Sequence, residues 1–132
     1  VRFDPAKIKE YEGATRDGPR EVDIILSADL RALHLGCVER EVRFHAIRKW
    51  TFDFAIRKVH LACEIEGAVW TMGRHTRGSG FVADCVKYNN ATALGWTVFR
   101  FPTQAILVGE AREILLLWKK NALDNQVKTV SR

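Results

Sequence analysis

The stretch that decides the fold is residues 49–67, KWTFDFAIRKVHLACEIEG. It holds two apolar runs separated by Arg57 and Lys58 and closed by Gly67. Side chains alternate along a strand. Alternation puts Trp50, Phe52 and Phe54 on one face of the first run, and Thr51 and Asp53 on the other. In the second run Leu61, Cys63 and Ile65 share a face, opposite Ala62, Glu64 and Glu66. An antiparallel hairpin then sets Ile56 against Val59, Phe54 against Leu61, Phe52 against Cys63 and Trp50 against Ile65. Asp53 falls opposite Ala62 and diagonal to Glu64. A two-residue turn at Arg57–Lys58 and a four-residue loop over 56–59 keep the same parity. Arg-Lys suits the tightest turns poorly, which favours the longer loop. A three-residue loop would put the two Glu under the aromatic face.

This hairpin forces Asp53, Glu64 and Glu66 onto one face. Diagonal neighbours lie about 7–8 Å apart, within reach of converging side chains. Converging carboxylates repel one another and lose hydration, so the cluster calls for a cation. All-oxygen donors select a hard one, Mg²⁺ or Mn²⁺. The competing reading leaves Glu64 and Glu66 on a wet sheet face, with Asp53 paired to Arg48 or Arg100. An Asp centred in FDF, and a loop rich in Gly and Arg directly after Glu66, weigh against it.

Outward from the hairpin, the pattern continues as α/β. EVDIILSADLRALHL, from Glu21, places Val22, Ile25, Leu26, Leu30 and Leu33 on one helical face, with Gly36 as a stop. EVRFH alternates as an edge strand. FVADCVKYNNATAL reads as a helix with a Phe81–Cys85–Tyr88–Thr92 stripe, closed by Gly95. WTVFRF is a short strand bounded by Pro102. QAILVGEAREILLLWKKNAL is a long amphipathic helix with Lys119 and Lys120 near its end. The expected order is α-β-β-β-α-β-α, a single domain with a central mixed β-sheet flanked by helices. Residues 1–20 read as a basic N-terminal arm, 21–122 as the domain, and 123–132 as a frayed polar tail. Between Gly67 and Gly80, GAVWTMGRHTRGSG reads as a functional loop carrying Arg74, His75 and Arg77.

The chain has 132 residues, 47% of them hydrophobic, and a formal net charge of +5. That suits one compact domain and argues against disorder. The positive balance favours an anionic partner, most simply nucleic acid. Arg2, Lys7, Lys9, Arg16 and Arg20 in the arm would add salt-sensitive affinity for a phosphate backbone, or merely solvate the terminus. No run approaches the ~20 apolar residues of a membrane helix, and the N-terminal residues lack the apolar segment of a signal peptide. The expected setting is cytoplasmic. Cys37, Cys63 and Cys85 are odd in number and form no CxxC pair, so buried free thiols are expected. His34, His45 and His60 show no zinc-ligand spacing with them. No nucleotide-binding Gly-rich element is present.

RKWTFDFA, then CEIEG, then GRHTRGSGFVADCVKYNNATALGWTVFRF resembles the PD-(D/E)xK nuclease superfamily. The nearest likeness is to small phage and bacterial endonucleases related to very-short-patch-repair endonucleases. The resemblance covers about residues 21–118. It implies a restriction-endonuclease-like fold and a Mg²⁺-dependent DNA endonuclease, with Mn²⁺ as a substitute and 5′-phosphate and 3′-hydroxyl products. It implies Asp53 as the bridging metal ligand and Glu64 as the second, with Glu66 expected as a third ligand to one or two ions. Glu66 stands where the family pattern has Lys. That departure leaves the general base open between Glu66 and Lys87, the latter from the following helix or else a solvated helix Lys. Glu21 corresponds to a first-helix carboxylate that several members use, or it merely complements the helix dipole. Arg74 and Arg77 are expected phosphate contacts, and His75 a further contact or proton donor. Small enzymes of this kind suggest branched or Holliday-junction DNA and a homodimer. The competing function is a non-catalytic nucleic-acid-binding module on the same fold.

Overall fold

The computed structural model describes residues 18–67 and 78–130. The chain forms an α/β fold with a four-stranded mixed sheet and helices, the expected class. It divides into two compact units. The first, described over residues 18–34 and 103–130, is helical. The second, Leu35–Pro102, holds the sheet.

In the helical unit, α1 spans Gly18–Arg31. Its buried residues Val22, Leu26 and Leu30 recur at four-residue spacing, the stripe that the sequence pattern predicts, and Leu33 is buried just beyond it. The helix ends sooner than expected, because His34 turns left-handed with φ 54°. The single long C-terminal helix expected from Gln104 is two helices. α3 covers Thr103–Leu107 and α4 covers Glu110–Val130, with Gly109 between them at φ 83°. A positive φ at Gly109 is open to Gly at no steric cost and breaks the helix there. Residues 123–130, expected as a frayed tail, continue α4. Ile106 and Leu115 are fully buried in this unit. Lys119 donates to the Leu33 carbonyl at 2.6 Å, capping the chain after α1.

In the other unit, β1 (Glu39–Arg43), β2 (Thr51–Ile56), β3 (Leu61–Glu66) and β4 (Thr97–Pro102) lie side by side in chain order. β1–β2 and β2–β3 are antiparallel and β3–β4 is parallel. The parallel pair needs a crossover, and α2 (Ser79–Ala93) supplies it.

The β2–β3 connection is a 3₁₀ turn, Arg57–Val59, plus His60 in the left-handed region. It is four residues long, as favoured, but it begins one residue later than expected. The register therefore shifts by two: Ile56 faces Leu61, Ala55 faces Ala62 and Phe54 faces Cys63. Parity survives, and Asp53 comes level with Glu64 instead of diagonal to it.

The aromatic face departs from strict alternation. Phe52 shares a buried cluster with Ala55, Ala62, Val42, Ala91 and Trp96. Phe52 and Ala55 are three positions apart and would lie on opposite faces of a regular strand. The irregularity centres on Asp53: the ladder passes from Val42–Phe52 to Arg40–Phe54, and Glu41 between them is left-handed at φ 50°. Phe52 stacks on Phe44 at 4.1 Å and tilts against Trp96 at 5.1 Å. His60 stacks on the same Trp96 at 4.8 Å.

α2 turns a different face to the sheet from the Phe81 stripe. Ala91 is fully buried and Lys87 and Tyr88 partly so, while Phe81, Cys85 and Thr92 are exposed. Ala91 joins Ala62 in the buried cluster. Of the three thiols, expected buried, only Cys63 is; Cys37 and Cys85 are exposed. No described helix is long and apolar enough to cross a membrane.

Candidate functional site

Asp53, in the irregular part of β2, accepts a hydrogen bond from the Ile65 backbone N–H at 2.7 Å. That bond ties β2 to β3 where the regular ladder has stopped, and it fixes the carboxylate beside Glu64. Glu64 is the penultimate inward residue of β3 and only 7% exposed. Lys87 reaches down from α2 and donates to its Oε1 at 2.5 Å. The Lys87 ammonium also stands 5.2 Å from the Tyr88 ring and 6.0 Å from the Phe52 ring. The helix spacing explains its aim. Lys87 is one turn before buried Ala91, so it shares the face that packs on the sheet.

Burial pushes the Glu64 carboxyl up to about 7. The Lys87 hydrogen bond and charge pull it down, while the charge of Asp53 and a hydrogen bond between the two carboxyls push it up. Two acids side by side cannot both ionise freely without a cation. Neighbouring Cys63 is driven far up by burial and by the charges of Glu64 and Asp53, so its thiol stays protonated and inert.

Glu66, next on the same face of β3, points to a different partner. Arg100 of β4 donates to it at 2.6 Å and to Asp84 of α2 at 3.4 Å. The same guanidinium lies 4.3 Å over the Tyr88 ring. Parallel register sets Glu64 level with Arg100. From the sequence, Arg100 is expected only as a rival partner for Asp53. Its role with Glu66 was legible in principle, since Arg100 is the one charge in an otherwise apolar strand.

The structure thus brings together Asp53, Glu64 and Lys87, and draws Glu66 aside to Arg100. Glu21 is an exposed acid in the first turn of α1, in the helical unit, where it complements the dipole. Arg74, His75 and Arg77 lie outside the described residues.

Among the described residues no group of three or more His, Cys, Asp or Glu is placed to hold a metal ion. The Asp53–Glu64 pair still fits a hard divalent cation. Mg²⁺ keeps several waters and commonly takes one or two carboxylates plus substrate phosphates. Burial is the chief cause of the raised Glu64 pKa, and among the described residues Lys87 is the cation that pulls it down. No protein-family model, curated protein or solved structure matches the chain.

Proposed function

We propose that the chain is a Mg²⁺-dependent DNA endonuclease. One observation carries the reading: two adjacent carboxyls, Asp53 and Glu64, held on a sheet with a lysine from the following helix aimed at them. Asp53 and Glu64 would hold the cation, which lowers the pKa of bound water and neutralises charge on the phosphate when present. The Ile65 N–H holds Asp53 in place for that task. Lys87 orients the attacking water and offsets negative charge that builds on the phosphoryl oxygens. On this reading it supplies, from the following helix, the positive charge that the family pattern draws from a Lys at the position of Glu66. Glu66, bound to Arg100, is set aside from this step, and Arg100 with Tyr88 and Asp84 forms the wall beside it.

The reading includes cleavage to 5′-phosphate and 3′-hydroxyl ends, phosphate contacts from Arg74, His75 and Arg77, and a cytoplasmic setting. It also includes a branched, Holliday-type substrate cut by a homodimer, since two symmetric nicks need two sites. The test is cleavage of labelled linear duplex, single strand and four-way junction with Mg²⁺, Mn²⁺ or EDTA. Metal-dependent cutting lost in Asp53→Asn and in Lys87→Met supports the proposal. Salt-sensitive binding without cutting of any substrate overturns it in favour of a non-catalytic binding module.

A further inference from the structure

The seven residues that join β1 to β2, 44–50, form a braced tip outside the Asp53–Glu64–Lys87 group, with Phe44 stacked on Phe52 at its base. His45 Nδ1 accepts hydrogen bonds from the backbone N–H groups of Ile47 at 3.1 Å and Arg48 at 2.9 Å. Arg43 donates to the carbonyls of Ile47 at 3.1 Å and Arg48 at 3.3 Å. The amide and carbonyl of Ile47 and of Arg48 are therefore all held by side chains of the hairpin itself. Trp50 backs the tip. The Arg48 guanidinium lies 4.7 Å over its ring, His45 meets it edge-on at 5.0 Å and Phe44 stacks at 6.1 Å.

At the centre of this bracing stands Ile47, 83% exposed. A single exposed aliphatic residue is ordinary. Here the backbone around it is held at four points, so the side chain is presented to solvent on a fixed support. Residues 43–50 carry Arg43, Arg48 and Lys49 and no acid. The loop enters β2 two residues, or about 7 Å, before Asp53. A polyanion lying across Asp53 and Glu64 would pass this basic tip.

We infer that the 44–50 tip is a nucleic-acid wedge: Ile47 inserts between base steps while Arg48 and Lys49 hold the flanking phosphates. Apolar wedges of this kind unstack a step and kink the duplex. A tip already ordered in the free protein loses little entropy when it binds. The inference rests on the nucleic-acid reading of the site but not on catalysis.

The test uses a duplex carrying 2-aminopurine at regular intervals, in EDTA, with the full chain. Binding of the unsubstituted protein raises the fluorescence as bases unstack. Ile47→Ala abolishes that rise and keeps affinity within roughly tenfold, because the phosphate contacts remain. His45→Ala, which unties the tip but leaves Ile47, weakens the rise. Lys49→Glu lowers affinity and flattens its salt dependence. An unchanged rise in Ile47→Ala, no duplex binding at all, or Ile47-dependent binding to anionic vesicles without duplex unstacking overturns the wedge. Failure of the nuclease reading looks different: unstacking persists, also in Asp53→Asn, while no metal supports cutting.

Discussion

Replacing Lys87 with Met removes the ammonium that pairs with Glu64 while keeping most of the aliphatic stem against Phe52 and Tyr88. In the unsubstituted protein without metal, the folded Glu64 pKa is about 7 against an ordinary 4.5. The native state therefore binds more protons than the unfolded state between those values. Stability from this group is fully present below about pH 4.5 and is lost as pH rises through about 7, by about 3 kcal/mol. Lys87 limits that loss, since its hydrogen bond and charge both lower the pKa. Without it, burial and the charge of Asp53 act unopposed and the pKa climbs further. Breaking a buried ion pair by removing one partner costs about 3–5 kcal/mol when the other stays charged. Both side chains are largely buried, 17% and 9% exposed, so solvent screens the pair little. At pH 5 Glu64 is protonated in both proteins, and the substitution removes only cation–π contacts and a neutral hydrogen bond, about 1 kcal/mol. The expected destabilisation of Lys87→Met is thus about 3 kcal/mol at pH 9 and about 1 kcal/mol at pH 5. Urea unfolding in EDTA at the two pH values measures both. Equal destabilisation at pH 5 and pH 9 would refute the claim that Lys87 holds Glu64 as a carboxylate.

Three further outcomes follow from the geometry. Asp53→Asn removes a charge that raises Glu64, so the Glu64 titration followed by carbon-13 NMR moves below about 7 while the chain stays folded; an upward move contradicts the carboxyl pair. Phe52→Ala empties the centre of the cluster formed with Val42, Ala62, Ala91 and Trp96, and should cost about 3–5 kcal/mol in urea unfolding. Gly36→Ala is strained twice, by φ of +140° and by a Cβ 3.2 Å from Ile56 Cγ2; a loss of about 1–3 kcal/mol is expected, and thermal melting at neutral pH reads it.

Much of this was legible in residues 49–67. Apolar alternation fixed the strand pair and its parity, because a one-residue slip would have buried Glu64 and Glu66 under the aromatics. It could not fix the register, since shifts by two residues keep every side chain on its face. The 3₁₀ turn ending in left-handed His60 decides it, and nothing in Arg57–Lys58–Val59 marks that turn in advance. The break in alternation at Asp53 was equally hidden. It coincides with left-handed Glu41 in the neighbouring strand, a residue with no special preference for that conformation. Lys87 was identified as a candidate, but its direction depended on which face of α2 meets the sheet. The helix pattern offers a Phe81–Cys85–Tyr88–Thr92 stripe and an opposite face with Lys87, and nothing in it marks Ala91 as the residue that is buried. The separation of Glu66 from the other two acids needed Arg100, which is distant in sequence and comes level with β3 only through the parallel crossover.

The central claim is that Asp53 and Glu64 together hold a hard divalent cation beside Lys87. The most direct test is Mn²⁺ binding at pH 8, followed by electron paramagnetic resonance of free Mn²⁺, for the unsubstituted chain, Asp53→Asn and Glu64→Gln. The account predicts a saturable site that Mg²⁺ competes for and that either substitution abolishes. Binding that survives both substitutions, or no binding in the unsubstituted chain with or without duplex DNA, would contradict it.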